Sequence, residues 1–191
     1  EQSAASHSLT IHRPLRLRKI EEKRFAVDGT PTDCVLLAVN HMMKDKRPDL
    51  VMSGVNHGRN IAEDVTYSGT IAAAMEATLL GIRAIAFSQQ FADGRRPDWE
   101  TAARWGAEVA RKAIATDWPD QVLVNVNFPA VDPDAVTGIA VVPHGLRKIG
   151  DVLEERTDPR GRSYFWIGTS RTEEALQGAE TDVSAIAAGR I

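Results

Sequence analysis

Residues 53–75 read SGVNHGRNIAEDVTYSGTIAAAM, and this stretch decides the fold. It follows an apolar run at residues 49–52 that predicts a buried strand, and it leads into an alanine-rich run at 71–80 that predicts a helix. A strand that opens into a polar loop of small residues and then into a helix is typical of ligand sites in open α/β sheets. We therefore expect this loop to contact a ligand.

Strands and helices continue to alternate downstream of this stretch. Residues 84–88 predict an apolar strand, residues 98–116 an amphipathic helix, and residues 121–128 a further strand that ends at a proline. This order predicts a mostly parallel sheet with helices on both of its faces. We interpret residues 1–129 as a Rossmann-like, three-layer α/β core.

Upstream of the stretch, the pattern predicts a strand pair and a helix. Residues 8–19 alternate loosely between apolar and polar and predict a bent or edge strand, which residues 24–27 would pair with. Either Thr30 or Thr32 would cap a helix that runs to about Met43, because both flank a proline that suits a first helical turn.

The pattern of predicted elements changes after Pro129. Residues 139–142 predict a short strand, and residues 147–156 and 162–168 predict two arms of a β-hairpin around the turn at 158–161. We interpret residues 130–191 as a β-hairpin and oligomerisation extension outside the main sheet.

The last part of the chain is predicted to be a loop and a short helix. The acidic stretch at residues 173–182 predicts a solvated loop. Thr181 or Asp182 would then cap a helix over residues 183–188.

Composition excludes several classes of protein. The 43% of hydrophobic residues suffice for a core, and a net charge of -3 argues against a surface that binds a nucleic acid polymer, though not against a nucleotide in a pocket. Cys34 is the only cysteine, so neither an intrachain disulfide nor a cysteine metal cluster is available. No apolar run approaches the roughly 20 residues of a membrane span. We expect a cytoplasmic protein.

The start of the central helix is the first candidate site. The hydroxyl groups of Ser68 and Thr70, the backbone of Gly69 and the positive end of the helix dipole suit an anion such as phosphate. The same residues also suit an ordinary helix cap. The loop lacks the Gly-Lys-Ser/Thr ending of a Walker motif, and the chain has no Gly-x-Ser-x-Gly elbow.

Other polar residues of the loop have two interpretations each. Asn56 and Asn60 are candidate metal or ligand contacts, or turn formers. Glu63 and Asp64 are candidate ligands of a hard cation such as Mg²⁺, or a surface charge and a cap. His57 is a candidate acid or base, or a solvated histidine.

The hairpin carries further candidates. Arg147 and Lys148 would meet an anionic substrate or form a solvated face of the hairpin. Tyr164 and Trp166 are interpreted as packing or interface residues rather than as a platform that stacks bases.

In their order and spacing, these segments resemble the survival protein E (SurE) family. The resemblance runs over nearly the whole chain and has six matching pieces: SAASHSLT at 3–10, GTPTDCV at 29–35, DLVMSGVNHGRN at 49–60, Asp64 with YSGT at 67–70 and AAAME at 72–76, VNVNFP at 124–129 and DPRG at 158–161. It implies a Rossmann-like core with a C-terminal hairpin region that assembles dimers and tetramers.

The resemblance also implies an activity. SurE-type proteins are metal-dependent phosphatases that hydrolyse nucleoside 5′- and 3′-monophosphates, and some act on short polyphosphate. It therefore implies a nucleoside monophosphate substrate, a divalent cofactor (Mg²⁺ or Mn²⁺) and a homodimer or homotetramer. The alternative hypothesis is a catalytically inactive module that binds a nucleotide or phosphate, or that serves assembly.

The site of the family maps onto this sequence in part. The cation of the family sits on two adjacent aspartates, a serine that maps onto Ser3 and an asparagine that maps onto Asn56. Ser68, Gly69 and Thr70 map onto the turn that contacts phosphate. The two aspartates belong to an Asn-Asp-Asp-Gly motif, which does not occur in these 191 residues.

This departure leads to an expectation about activity. We interpret the sequence as a fragment that lacks the first strand, its aspartates and the first helix, and we expect the general base among those aspartates. Because Ser3 and Asn56 are neutral, and a hard dication is held mainly by anionic oxygen, we expect residues 1–191 alone to have little or no phosphatase activity.

Overall fold

The computed structural model describes residues 5–92, 98–149, 153–167, 171–174 and 179–191, with the backbone alone at 147–149 and 171–174. Within these ranges, none of the helices combines the length and apolar character that crossing a bilayer requires.

The described chain begins with an irregular segment and an antiparallel strand pair. β1 (Leu17–Glu21) pairs with β2 (Arg24–Val27), which confirms the predicted pairing. The predicted strand over residues 8–19 is wrong before Leu17. Pro14 lacks the N–H group that a ladder needs, and the residues before it are hydrogen-bonded to a neighbouring helix instead.

That helix is α1 (Pro31–Leu37), and Thr30 caps it. The Thr30 hydroxyl accepts from the Asp33 N–H at 3.2 Å, and Asp33 Oδ2 accepts from the Thr30 N–H at 2.8 Å, so the two residues form a capping box. Asp33 Oδ1 also accepts from the Thr10 N–H at 3.0 Å. Burial opposes ionisation of Asp33, but the hydrogen bonds from Thr10 and Thr30 outweigh it and hold its pKa below the ordinary value. A π-helical turn, Ala38–Met42, continues the helix to its predicted end.

A parallel sheet and its crossover helices follow. Along the chain these elements are β3 (Leu50–His57), α2 (Asp64–Tyr67), α3 (Gly69–Leu79), β4 (Arg83–Gln89), α4 (Glu100–Ala115) and β5 (Val124–Phe128). The strands lie in the order β3, β4, β5 and all run parallel. The predicted Rossmann-like α/β core is therefore confirmed.

Two hydrophobic clusters lie on opposite faces of the sheet, so the core has three layers. On one face, α1 and α3 pack against the strands through Val35, Val39, Ile71, Ala74, Ala77, Ala84 and Ala86. On the other face, α4 packs through Ala102, Val109, Ile85, Phe87, Val126 and Phe128. The alternation of Ala84, Ile85, Ala86 and Phe87 along β4 supplies both faces from one strand.

The described C-terminal residues form two antiparallel strand pairs. β6 (Leu146–Ile149) pairs with β9 (Arg171–Glu174), and β7 (Leu153–Thr157) pairs with β8 (Ser163–Ile167). The β7–β8 pair confirms the predicted hairpin around the turn at 158–161. The predicted first arm, residues 147–156, is wrong at its start, because residues 147–149 pair with β9 rather than with the second arm. The predicted loop over residues 173–182 is wrong at its start, because residues 173 and 174 pair with β6. Residues 175–178 of the predicted loop lie outside the described residues.

The predicted strand over residues 139–142 is wrong. Gly138 forms a single bridge with Arg190, and the Ala140 N–H donates to the Ile191 carbonyl at 2.8 Å, but no ladder develops. Val141 is fully exposed, so this segment has no buried face to hold it in a sheet. Ile191 itself packs into the α4 cluster. The predicted domain boundary at residue 129 stays a prediction.

Asp182 ties the last helix to the rest of the core. It is the first residue of α5 (Asp182–Ala187), which is capped by Thr181 as predicted. Its Oδ2 accepts from the Ala62 N–H at 2.8 Å, and its Oδ1 accepts from the Gly145 N–H at 2.7 Å. One carboxylate therefore joins the loop after β3, the segment before β6 and the start of α5.

We expect Asp182→Ala to lower the free energy of unfolding by about 2 kcal/mol, because it leaves two backbone N–H groups without their charged acceptor. Urea denaturation of the full-length protein measures this change. Asp134→Ala is the matched control, since Asp134 also lies in the first turn of a short helix (Pro133–Ala135) but is exposed. It should change stability by less than about 0.5 kcal/mol. Equal losses in the two variants would contradict the role of Asp182.

Candidate functional site

A β-bulge near the end of β3 orients the first site residue. Ser53 pairs with Ala86 and Asn56 pairs with Ser88, so β3 has one more residue than β4 between these pairs. Gly54 has a φ of +114°, and a Cβ there would clash with the carbonyl oxygen of Phe87. Glycine is therefore required at the bulge, and the bulge sets the direction of Asn56.

The Asn56 side chain links the end of β3 to the start of α3. Its Nδ2 donates to the Gly58 carbonyl at 2.9 Å and to the His57 carbonyl at 3.3 Å. Its Oδ1 accepts from the Thr70 hydroxyl at 3.2 Å. These bonds hold the amide oxygen of Asn56 beside the first turn of α3, so two of the predicted site residues are in direct contact.

The first turn of α3 is capped and tightly packed. Ser68 is the N-cap, and its Oγ accepts from the Ile71 N–H at 3.2 Å. A Cβ at Gly69 would lie 2.9 Å from Cγ of Pro31, so the absence of a side chain lets α3 begin against α1. The predicted helix cap is confirmed, and the predicted phosphate contact of Ser68, Gly69 and Thr70 stays a prediction.

Asn60 anchors the loop between β3 and α2 (residues 58–63). Its N–H donates to Asn127 Oδ1 at 2.7 Å, and its carbonyl accepts from Asn125 Nδ2 at 2.9 Å and from Asn127 Nδ2 at 3.0 Å. Its own Nδ2 donates to Ser88 Oγ at 2.7 Å. Asn60 is thus a buried structural residue rather than a simple turn former.

The role of Asn125 and Asn127 in this network was not predicted from the sequence. Their spacing could have indicated it, because residues two apart on a strand lie on the same face. Two amide side chains on one face of a half-buried strand need hydrogen-bond partners.

The site opens into a large cleft. The cleft has a volume of about 2040 Å³, and its lining includes Asn56, the Ser68–Thr70 turn and Asp64. It is larger than the roughly 300–1,000 Å³ of an ordinary ligand pocket, because it extends along β3 toward β2 and α1. The end beside Thr70 is the part that brings the predicted residues together.

The remaining predicted residues are less central. The ring of His57 stacks on Phe91, with 4.4 Å between the ring centroids. Arg147 and Lys148 lie on β6, and their side chains are outside the described part of the chain. Ser3 also lies outside the described residues.

The described residues supply neutral donors rather than a cluster of charges. Within the described ranges, no group of three or more His, Cys, Asp or Glu side chains could hold a metal ion. Asn56 offers an amide oxygen and Thr70 a hydroxyl group. These donors alone do not fit a hard dication, which needs anionic oxygen.

Comparisons with known proteins agree with this architecture. The model of the family described as survival protein SurE matches residues 1–151. The 5′-nucleotidase SurE of Paramagnetospirillum magneticum is 56% identical over 191 residues, which are 100% of this chain and 73% of the relative. The 5′-nucleotidase SurE of Rhodospirillum rubrum is 56% identical over 194 residues, covering 100% of this chain and 74% of the relative.

A solved structure is similar as well. The crystal structure of the SurE protein from Aquifex aeolicus superposes with a TM-score of 0.82 at 37% sequence identity, over 98% of this chain and 75% of that chain. The ordered motifs, the parallel core and these matches lead to one conclusion: the chain belongs to the SurE family.

Proposed function

We propose that the protein is a nucleotidase, a phosphoric monoester hydrolase that releases phosphate from nucleoside 5′- and 3′-monophosphates. The contact that carries this proposal is the hydrogen bond between Thr70 and Asn56, because it joins a helix N-terminus to an oriented amide oxygen at the carboxyl edge of a parallel sheet. Relatives that share 56% of their aligned residues with this chain are named 5′-nucleotidase SurE. Short polyphosphate is a further candidate substrate.

The start of α3 would bind the phosphate. The first turn of a helix leaves N–H groups without intrahelical acceptors. In α3, the N–H group of Ile71 already donates to Ser68 Oγ. The N–H groups of Gly69 and Thr70 remain as donors for phosphate oxygens, with the helix dipole behind them. Donors fixed in this way also stabilise the charge that develops in the transition state of phosphoryl transfer.

We further propose that Asn56, together with Ser3, contributes neutral ligands to a divalent cation, Mg²⁺ or Mn²⁺. The orientation of the Asn56 amide supports this role, since both bonds of its Nδ2 fix the side chain and the residue lines the cleft. The anionic ligands would be the adjacent aspartates that the family resemblance implies. A dication there would polarise the phosphate and lower the pKa of a bound water.

Assembly would use the β7–β8 hairpin. Its strands expose several large apolar side chains, namely Leu153, Tyr164, Phe165, Trp166 and Ile167. An exposed apolar surface of this kind marks an interaction site, and we propose that it supports a homodimer or homotetramer. A cytoplasmic location fits a chain with one cysteine and no disulfide.

An inactive binding module is the second candidate. One observation favours it: the described residues include a helix start that suits phosphate, but no group of three or more His, Cys, Asp or Glu side chains that could hold a metal ion. The two candidates differ in turnover, because a module would bind nucleotides without releasing phosphate.

The first prediction concerns metal-dependent turnover. We expect the full-length protein to release phosphate from nucleoside 5′- and 3′-monophosphates with Mg²⁺ or Mn²⁺, and to lose this activity in EDTA. A panel of the four common bases in both phosphate positions measures it and ranks the substrates. If the protein binds nucleotides but releases no phosphate with any metal, the nucleotidase proposal fails and the inactive binding module becomes the favoured function.

The second prediction concerns the bond between Thr70 and Asn56. Thr70→Val keeps the shape of the side chain but removes the hydroxyl group, so we expect kcat/KM or metal affinity to fall by about 10- to 100-fold. Thr70→Ser retains the hydroxyl and is the matched control. Asn56→Ala should lose at least as much as Thr70→Val. Near wild-type metal affinity and turnover in Asn56→Ala would refute the metal role of this residue.

A further inference from the structure

Three aromatic rings form one wall of the cleft. His57 stacks on Phe91 with 4.4 Å between centroids and 29° between planes, and Phe91 meets Trp99 edge-on at 5.0 Å and 84°. His57 and Trp99 are 6.2 Å apart. We call these three residues the aromatic wall. All three line the same cleft as Asn56 and the start of α3.

The aromatic wall is not part of the hydrophobic core. The stacked pair Phe87 and Phe128 lies inside the core and is 7% and 0% exposed, whereas Trp99 is 41% exposed. When a ligand covers an aromatic ring that is exposed in a cleft, burial of that ring contributes favourably to binding. The ring of Trp99 is therefore available to a ligand of the cleft.

Trp99 also occupies a position that local structure does not explain. It is the N-cap of α4 and makes no side-chain capping bond, although Ser, Thr, Asp and Asn are the residues that stabilise this position. The preceding Asp98 accepts from the Glu100 N–H at 2.9 Å instead. The start of α4 thus places a large ring beside the cleft without gaining a cap from it.

The aromatic wall and the proposed phosphate site border the same cleft. Asn56 and His57 are consecutive at the end of β3. The side chain of Asn56 contacts Thr70, while the ring of His57 contacts Phe91. A nucleoside monophosphate likewise carries its phosphate and its base on different sides of one ribose. A phosphate bound at Thr70 would leave the base within the same cleft, which the wall borders.

We propose that the aromatic wall stacks the nucleobase of the substrate, with Trp99 as the main contact. This proposal rests on the proposed nucleotidase function and adds the residues that bind the base. Stacking on an aromatic face tolerates every base, because each base has a π-face. The wall would thus favour nucleotides over other phosphate monoesters without reading one base, and purines would bind better than pyrimidines because they cover more of the ring.

The test compares two substrates in the full-length protein. Adenosine 5′-monophosphate carries a base, and ribose 5-phosphate has the same sugar phosphate without it. We expect Trp99→Ala to raise KM for the nucleotide by about fivefold or more while kcat stays within about twofold. KM for ribose 5-phosphate should not change. Trp99→Phe keeps a ring at this position and should restore most of the affinity.

Two results would overturn the proposal. One is an equal effect of Trp99→Ala on both substrates, which would indicate a structural role for the ring. The other is no effect on either substrate, with circular dichroism showing that the variant is folded. Equilibrium dialysis of both compounds, without turnover, provides a second readout. If the wild-type protein binds the nucleotide but releases no phosphate, the nucleotidase function fails, and the loss of binding in Trp99→Ala still decides the role of the wall.

Discussion

The hydrogen-bonded backbone of Asn60 is the constraint on which the site depends. Its N–H and carbonyl groups are bound by Asn125 and Asn127 from β5, and its side chain is bound to Ser88 from β4. The carboxyl ends of parallel strands meet at one edge of the sheet, so these partners are close to the loop by topology. These bonds fix the middle of the segment that connects Asn56 to Thr70, the two residues whose side chains are in contact.

Phosphoryl transfer requires a protein to bind the phosphate and to bind a cation, and the described residues suit only the first of these tasks. Helix N-H groups and hydroxyls at Ser68–Thr70 suit the oxygens of a phosphate, but they carry no charge to bind a dication. Asn56 contacts both features, since its amide oxygen accepts from Thr70 and the residue lines the cleft. In the proposed enzyme Asn56 would supply one neutral ligand, and a dication would need anionic oxygen in addition.

Local signals made much of the fold predictable. The three apolar strands of the parallel sheet, the caps at Thr30 and Ser68 and the strand–helix alternation each depend on neighbouring residues, and the structure has all of them. Asn56 and Thr70 were each singled out from the sequence, but the hydrogen bond between them was not predicted.

Features that depend on residues distant in the sequence could not be predicted. The bulge at Gly54 exists because the Phe87 carbonyl lies against it, and the strand at residues 171–174 exists because β6 pairs with it. Neither leaves a periodic pattern in its own segment. The strand predicted at residues 139–142 was wrong for a related reason. Its apolar residues indicated a strand, but no strand of the described chain pairs with this segment.

A crystal structure of the full-length protein with bound inorganic phosphate tests the role of the α3 start most directly. We expect phosphate oxygens within hydrogen-bond distance of the N–H groups of Gly69 and Thr70, with the Asn56 side chain still bonded to Thr70. Phosphate bound elsewhere in the cleft, with the start of α3 empty, would contradict this role.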